Sequence, residues 1–560
     1  MNRKRRGSKR QAGPTESTDR IVLICVLIAV GLIPLLVHGK IQFFVIPVID
    51  PITNLSTGSL TDLFTYYKSI ALIIVAIILL LWFLANIVTS RQKIKLSKLN
   101  VPIFVFVLAI CLSVLFSDYK SYAIWGGQAR NFGAAAYLSF ILIFFVLINS
   151  KADNSWERKI ILVLIPLAII NSLMMLISFY GINLWDNTIL KALIAGEAAP
   201  YLNENSRILG TLGHWNYLSG LGSILFAVFA GKAVFSVRKL LFDWERIVYI
   251  LTAVLSANLV FASKALSGVV TILFVTTLLL GVIIETRKKE GINLLIIIAL
   301  TILSCAVLSL HDATFLHEFI SDAFILGFSV LLGIIFFGVY LLLKNWERLN
   351  KRKALYVSTT VVIICILISI ALAPTVVEEV TTELERMNSE LIRERLEKNP
   401  FDFPEAKFGW GTGRIYIWEK TLELIAKKPL VGYGLDTLLF EFDQGDPAKI
   451  AALEKANTVV DKPHNVYINM LYGAGVIAFL AFLAIVVLVI WRALKAFSTE
   501  SEYCYMIWPL LLGVLAYLYQ GMFNDPVQGV EQIFWVLMGL TYALADKAGV
   551  SKREELSKRL

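Results

Sequence analysis

Long apolar runs recur along the whole of this 560-residue chain, and they constrain its fold more than any other feature. Each spans about 17 to 25 residues, enough to cross a hydrocarbon core about 30 Å thick as a helix. The runs are continuously apolar and do not alternate, which favours helices over the strands of a membrane barrel. With 57% hydrophobic and 17% charged residues, a water-soluble class is excluded. We predict an all-α polytopic integral membrane protein.

About fourteen transmembrane helices are predicted, and twelve to fourteen are expected because the third and seventh runs are short. The first run is interpreted as an uncleaved span, since no small-residue cleavage site follows it. The runs cover residues 21–37, 68–89, 101–116, 133–149, 159–179, 212–230, 246–261, 265–284, 292–310, 322–343, 354–373, 465–491, 505–521 and 530–546.

Basic residues alternate between the connecting loops and predict the orientation. Loops such as 90–100 and 344–353 are rich in Lys and Arg, whereas 311–321 and 522–529 contain none. By the positive-inside rule the basic loops face the cytoplasm. The net charge of +10 then reflects attraction to anionic lipid and not a nucleic-acid partner.

This orientation divides the chain into five parts, and both termini are predicted to be cytoplasmic. They are a basic tail (1–20), transmembrane helices 1–11 (21–373), a large extracytoplasmic loop (374–463), transmembrane helices 12–14 (464–546) and a second tail (547–560). The large loop is predicted to be a helical cap. An amphipathic helix is expected over 376–398, a second from Gly413 to Lys427 and a short one within 446–457, with a turn at 432–434.

His464 is the strongest candidate for chemistry. It stands at the end of the large loop, where the next apolar run begins. An imidazole near its ordinary pKa accepts a proton from a hydroxyl at neutral pH, as a general base must. The alternative is a histidine that only caps or packs at the helix entrance.

Four cations on the predicted outer side are candidates for binding a phosphorylated lipid: Arg414, Lys264, Arg207 and Arg130. Guanidinium groups form paired, charge-assisted bonds with phosphate oxygens. Lys264 lies in a very short turn between two apolar runs, where a charge is costly. The alternative is that these are ordinary surface cations paired with nearby carboxylates.

Signatures of other chemistries are missing from the sequence. There is no Walker loop, HExxH, GxSxG or paired-acid motif in an outer loop, so neither a metal nor a cofactor is predicted. The five cysteines are scattered without metal-ligand spacing, and disulfides are not expected.

Three motifs together resemble the bacterial O-antigen ligase and O-antigen polymerase superfamily. They are Gly413-Arg414-x-x-x-Trp418, the segment PLVGYG over 429–434, and Pro463-His464-Asn465-x-Tyr467 with Gly475 following. The similarity covers about 200–490 and is densest over 200–300 and 405–490. Many-span topology extends the likeness along the chain, and the fold expected is GT-C-like.

The resemblance implies a metal-independent, inverting glycosyltransferase that uses an undecaprenyl-diphosphate-linked glycan as donor. His464 matches the family's proposed base, and Arg414 matches its diphosphate-binding arginine. Lys264 stands where the family usually has arginine, a departure that weakens the case for bidentate phosphate binding there. Arg207 and Asn216 resemble another family segment, although His214-Trp215 occupy less usual places within it. Trp418, Asn216 and Asn465 are expected to be supporting residues.

The expected location is the bacterial cytoplasmic membrane, with the active site on the extracytoplasmic side. The expected partners are the bilayer, the lipid-linked glycan and a glycan, lipid or protein acceptor. Ligase, polymerase and protein O-oligosaccharyltransferase activities remain open at this point. A non-enzymatic flippase or exporter of lipid-linked glycans is the alternative of another class; few charges within the spans favour the enzyme.

Overall fold

The computed structural model describes residues 14–45, 57–89, 93–202, 209–235, 244–286, 291–312, 323–344, 413–453, 459–497 and 502–559. These residues are mostly helical, and the strands among them form one two-stranded sheet. The prediction of an all-α polytopic membrane protein is confirmed.

The elements follow one another in chain order. They are α1 (Pro14–Leu27, continued by a π-helical turn Ile28–Leu32 and a 3-10 turn Ile33–Leu35), β1 (Lys40–Val45), β2 (Thr57–Asp62), α2 (Tyr66–Val88), α3 (Asn100–Leu115), α4 (Lys120–Trp125), α5 (Ala134–Asn149), α6 (Asn154–Phe179), α7 (Thr188–Ala195), α8 (Trp215–Phe235), α9 (Trp244–Ala262), α10 (Leu266–Thr286), α11 (Ile292–His311), α12 (Ala323–Lys344), α13 (Arg414–Lys427), α14 (Leu438–Glu441), α15 (Pro447–Leu453), α16 (Val466–Phe497), α17 (Tyr503–Gln520) and α18 (Glu531–Arg559). Short 3-10 turns at Leu184–Asp186 and Gly196–Tyr201 flank α7.

Nine helices within the described residues are long and apolar enough to cross a membrane. The predicted runs coincide with helices wherever the structure describes them, although α3 and α5 are short for a span. The eleventh run, 354–373, and the amphipathic segment 376–398 lie outside the described residues. The total of fourteen therefore stays a prediction.

Helix α8 lies at the centre of the helical bundle. In its apolar stretch 94% of the residues are buried inside the protein, against 28% in that of α11. Helix α8 packs on α9, α10 and α17. A helix buried on all sides belongs to the interior of a helix bundle. Small residues allow close approach: a Cβ added to Gly268 of α10 would lie 2.8 Å from the Ser219 carbonyl oxygen of α8, the packing typical of membrane helices.

A β-hairpin in the loop 38–67 was not predicted. Its strands pair antiparallel from Lys40 with Asp62 to Val45 with Thr57. Asp62 then ends the hairpin and caps α2, since its carboxylate accepts from the backbone N–H groups of Thr65 at 2.9 Å and Tyr66 at 2.8 Å. These N–H groups would otherwise lack partners at the start of the helix.

The cap helix predicted from Gly413 to Lys427 is present as α13, and α15 lies within the predicted 446–457. The segment 429–434 that follows α13 runs beside α16. Gly434 N donates to Gly473 O at 2.9 Å, and Val476 N donates to Pro429 O at 2.8 Å. These bonds form where α16 is interrupted at Gly475, whose φ of 77° is left-handed.

Candidate functional site

His464 lies at the junction between the cap and α16. The next residue, Asn465, is the N-cap of α16: its Oδ1 accepts from Tyr467 N at 2.9 Å and from Ile468 N at 3.1 Å, as N-cap side chains do. Its Nδ2 donates to Met522 O at 2.9 Å. Asn465 thus fixes the start of α16 against the segment 521–530, and with it the neighbouring His464.

Asp525, in the segment 521–530, is the partner of His464. The His464 Nδ1 and Asp525 Oδ2 atoms are 2.7 Å apart, and the aspartate side chain is only 4% exposed. Burial alone would raise the pKa of Asp525, but His464 and Lys462 outweigh it and hold that pKa well below its ordinary value. An ionised carboxylate only accepts, so the hydrogen between the two side chains is on Nδ1.

The other ring nitrogen of His464 is therefore available. No residue that the structure describes forms a hydrogen bond with Nε2, and the side chain is 36% exposed. An imidazole oriented by a carboxylate at one nitrogen and open at the other has the arrangement of a general base.

Lys462 is a second, unpredicted partner of Asp525. Its Nζ lies 3.7 Å from Asp525 Oδ2 and donates to the Tyr217 hydroxyl at the start of α8. Burial opposes its charge, but the Tyr217 oxygen and the carboxylates of Asp525 and Asp461 outweigh burial and raise the pKa of Lys462. The Lys462 cation thus links the cap to α8 and lies close to the Asp525 carboxylate.

Arg414 and Trp418 are placed on α13 as predicted, one helical turn apart. Trp418 Nε1 donates to Pro463 O at 2.6 Å, immediately before His464. Arg414 is half-buried and forms no ion pair with any described residue. Burial lowers the pKa of Arg414 while the charge of Asp525 acts to raise it, so the guanidinium lies within the field of the His464–Asp525 pair.

Asn216 takes part through its backbone. Its carbonyl accepts from Asn524 Nδ2 at 3.3 Å, and the same amide donates to Ser267 Oγ of α10 at 3.2 Å. Asn524 precedes Asp525, so it ties the starts of α8 and α10 to the segment that carries the partner of His464.

Lys264 lies in the turn between α9 and α10, in a left-handed conformation with φ of 53°. Its ammonium pairs with Asp312, which follows α11. Both side chains line a cavity of about 570 Å³ together with Trp215 and His311. Lys264 therefore lies near the start of α8, but it is already paired with the carboxylate of Asp312.

Arg130, which was predicted to bind diphosphate, pairs with two carboxylates. Its Nε lies 3.0 Å from Asp436 and its Nη1 lies 2.9 Å from Asp461. Burial would lower the pKa of Arg130, but the two carboxylates outweigh burial and raise it. A guanidinium already held by two carboxylates favours a positioning role, fastening the segment 126–133 to the cap, over diphosphate binding. The fourth cation, Arg207, lies outside the described residues.

Sequence reasoning missed Asp525, Lys462, Tyr217 and Asp461. The one available signal was that Asp525 is an acid in a short outer loop without Lys or Arg. No group of three or more His, Cys, Asp or Glu side chains arranged to hold a metal ion is found in the part of the chain that the structure describes.

Together, the fold and site define a multi-pass membrane protein with a polar cluster where a loop cap meets several helix ends. In comparisons with known proteins, the O-antigen ligase family model matches residues 319–483. This match confirms the predicted resemblance to the O-antigen ligase superfamily. No curated protein matches the chain.

Proposed function

We propose that this chain transfers an oligo- or polysaccharide from an undecaprenyl-diphosphate carrier to an acceptor hydroxyl at the extracytoplasmic face of a bacterial cytoplasmic membrane. The family match supports the general class of function, which is a glycan ligase or polymerase in the membrane. The observation that supports this particular reaction is the 2.7 Å contact between His464 Nδ1 and Asp525, which leaves Nε2 open; the charge of the same Asp525 also acts on Arg414.

In the proposed reaction His464 is the general base. Its Nε2 takes the proton of the acceptor hydroxyl while that oxygen forms a bond with the anomeric carbon. The bond between this carbon and the diphosphate oxygen breaks from the opposite side, which inverts the configuration. The buried Asp525 carboxylate stabilises the imidazolium that results.

Arg414 and Lys264 are proposed to bind the diphosphate. As the glycosidic bond breaks, negative charge grows on the departing oxygens, and fixed cations stabilise it without a metal ion. Arg414 has no carboxylate partner among the described residues, whereas the carboxylate of Asp312 accompanies Lys264. Arg414 is therefore expected to contribute the larger share of the binding.

The test is transfer by the purified chain in liposomes that contain the lipid-diphosphate-linked glycan of its host and an acceptor. His464→Ala is expected to lower turnover about 10²- to 10⁴-fold, the usual contribution of a general base. His38→Ala is the control, since His38 is exposed and its ring packs at a tilt against Tyr67, which is not a contact of His464. Full activity of His464→Ala would refute the assignment, and lipid flipping without a glycosidic product would favour an exporter.

Deletion in the host separates the two enzymatic alternatives. A polymerase deletion shortens the surface glycan, whereas a ligase deletion leaves full-length glycan on the lipid carrier without attachment. The acceptor class, whether lipopolysaccharide core, growing polymer, protein or cell-wall polymer, follows from which surface molecule loses the glycan.

A further inference from the structure

A second histidine, His214, stands at the N-terminus of α8. Its Nδ1 accepts from the backbone N–H of Asn216 at 3.2 Å, so the side chain serves as the N-cap of the helix. A ring nitrogen that accepts carries no hydrogen. The hydrogen of the neutral ring is consequently on Nε2, and the helix itself selects this tautomer.

The surroundings of His214 hold the ring in place and keep it neutral. The ring packs between Trp215 and Tyr217, with centroid distances of 4.6 and 4.9 Å. Burial, followed by the charges of Lys462 and His464, lowers the pKa of His214 to about 4; Arg414 acts in the same direction and Asp525 opposes it. The side chain is thus mostly uncharged at neutral pH.

Short contacts connect His214 to the proposed base. Tyr217, against which it packs, accepts from Lys462. Lys462 lies 3.7 Å from Asp525, which in turn lies 2.7 Å from His464. The two histidines therefore belong to one cluster. No residue that the structure describes forms a hydrogen bond with His214 Nε2, so its donor is available to a bound molecule.

We propose that His214 is a catalytic residue that donates its Nε2–H to a phosphate oxygen of the departing lipid diphosphate. This inference rests on the proposed transfer reaction and adds a neutral donor to it. The anomeric carbon–oxygen bond breaks and its electron pair goes to the diphosphate, while the acceptor proton goes to His464. His214 gives up no proton.

A neutral imidazole suits this task because it is a very weak acid. It stabilises the growing negative charge through a hydrogen bond that strengthens in the transition state. An imidazolium at the same place would add one more cation to the charges of Lys462 and Arg414. Two histidines whose environments differ in this way are expected to divide the base and donor roles between them.

The first test separates the donor from the helix cap. His214→Ser keeps an N-cap side chain but removes the Nε2–H, and kcat is expected to fall about 10²-fold, as for removal of one transition-state donor. His214→Gln restores an N–H donor and is expected to recover part of the rate. Thermal unfolding should change little in His214→Ser, whereas the Kd for undecaprenyl diphosphate, the product that keeps this hydrogen bond, should rise. An unchanged kcat in His214→Ser would overturn the inference.

A second measurement does not depend on transfer activity. In the full chain labelled with ¹⁵N-histidine, the signals lost in His214→Ser should be those of a neutral Nε2–H ring that does not titrate between pH 5 and 8. A ring that titrates in this range, or that carries its hydrogen on Nδ1, contradicts the inference. If these signals are as expected but the wild type makes no glycosidic product, the proposed transfer fails and the donor has another ligand.

Discussion

His464 and His214 show how one residue type acquires different properties from its hydrogen-bond partner. The carboxylate of Asp525 accepts a hydrogen bond from His464 Nδ1, whereas the backbone N–H of Asn216 donates to His214 Nδ1. In a neutral ring, the first arrangement leaves a lone pair on Nε2 and the second leaves a hydrogen there. Partners that fix the tautomer in this way determine whether the other ring nitrogen accepts or donates a hydrogen bond.

Asp525→Asn is expected to reduce transfer about 10²-fold or more, because the amide nitrogen donates to Nδ1 and favours the wrong tautomer. The measurement is turnover at saturating donor in liposomes. Asp118→Asn is the matched control: Asp118 is 72% exposed and pairs with Lys428, and an exposed pair contributes little. Equal activity of the two variants would contradict the role of Asp525.

His214 also predicts a pH dependence of stability. Its pKa of about 4 in the folded protein lies below the ordinary 6.5, so the unfolded chain binds a proton more readily. The contribution of the neutral His214 to the free energy of unfolding is fully present above about pH 6.5 and decreases as the pH falls towards 4. As the pH is lowered, the unfolding temperature in detergent should fall less for His214→Ser than for the wild type. Parallel decreases would be inconsistent with a neutral, buried His214.

Whether a residue of the site could be predicted depended on how far its partners lie from it in the sequence. His464 and Arg414 were predictable because they stand within short motifs. Asp525 follows His464 by 61 residues and Tyr217 precedes Lys462 by 245, so only the packing of α8, α16 and α17 brings them together. Arg130 was predicted to bind diphosphate as a cation of the outer side, because its carboxylate partners Asp436 and Asp461 lie far from it in the sequence and were not recognised.

At the scale of elements, the interruption of α16 explains the glycine-rich motifs. Gly475 is left-handed, which releases backbone groups from the helical pattern and lets the segment 429–434 pair with residues 472–476. Glycine adopts this conformation at little cost. The cap is consequently bonded along the helix that begins next to His464.

Gly475→Ala is expected to destabilise the protein by about 1–3 kcal/mol, the cost of a strained backbone position, and to reduce transfer by displacing the cap. An added Cβ would lie 2.2 Å from Leu430 O. Gly327→Ala in α12 is the control, since nothing lies within 4 Å of its added Cβ. Unfolding temperatures that agree between the two variants would exclude this account of α16.

Elements were predictable where apolar length decides the outcome. The predicted runs became helices because backbone groups in lipid must be satisfied internally. The hairpin was missed because KIQFFV and TGSLTD lack a clear alternation of polar and apolar residues. The interruption of α16 was missed because its apolar run continues through Gly475 without a change in hydropathy.

At the scale of the whole molecule, the helix ends predicted to face outwards lie together. The starts of α8, α10 and α16 and the end of α17 are linked through Asn524, Asn465 and Val466 N, which donates to Gly521 O at 2.8 Å. The shared location agrees with the alternation of basic loops. Which side of the membrane this is remains a prediction from charge alone.

Cysteine labelling tests that prediction. In a parent with all five native cysteines replaced, Glu423→Cys on α13 is expected to react with an impermeant thiol reagent in intact cells, because its side chain is 52% exposed. Val550→Cys on α18, 45% exposed, should react only after permeabilisation. The reverse pattern would invert the topology and place the site on the cytoplasmic side.

The position of Asp525 has a consequence for engineering. The family-matched segment 319–483 includes Arg414 and His464 but ends before Asp525, and it begins after His214 and Tyr217. A chimaera that transplants only this segment into a related scaffold would carry the proposed base, His464, without the carboxylate hydrogen-bonded to it. Recombination between relatives should therefore yield functional hybrids only when the crossover points keep α8, the cap and the segment 521–530 from one parent.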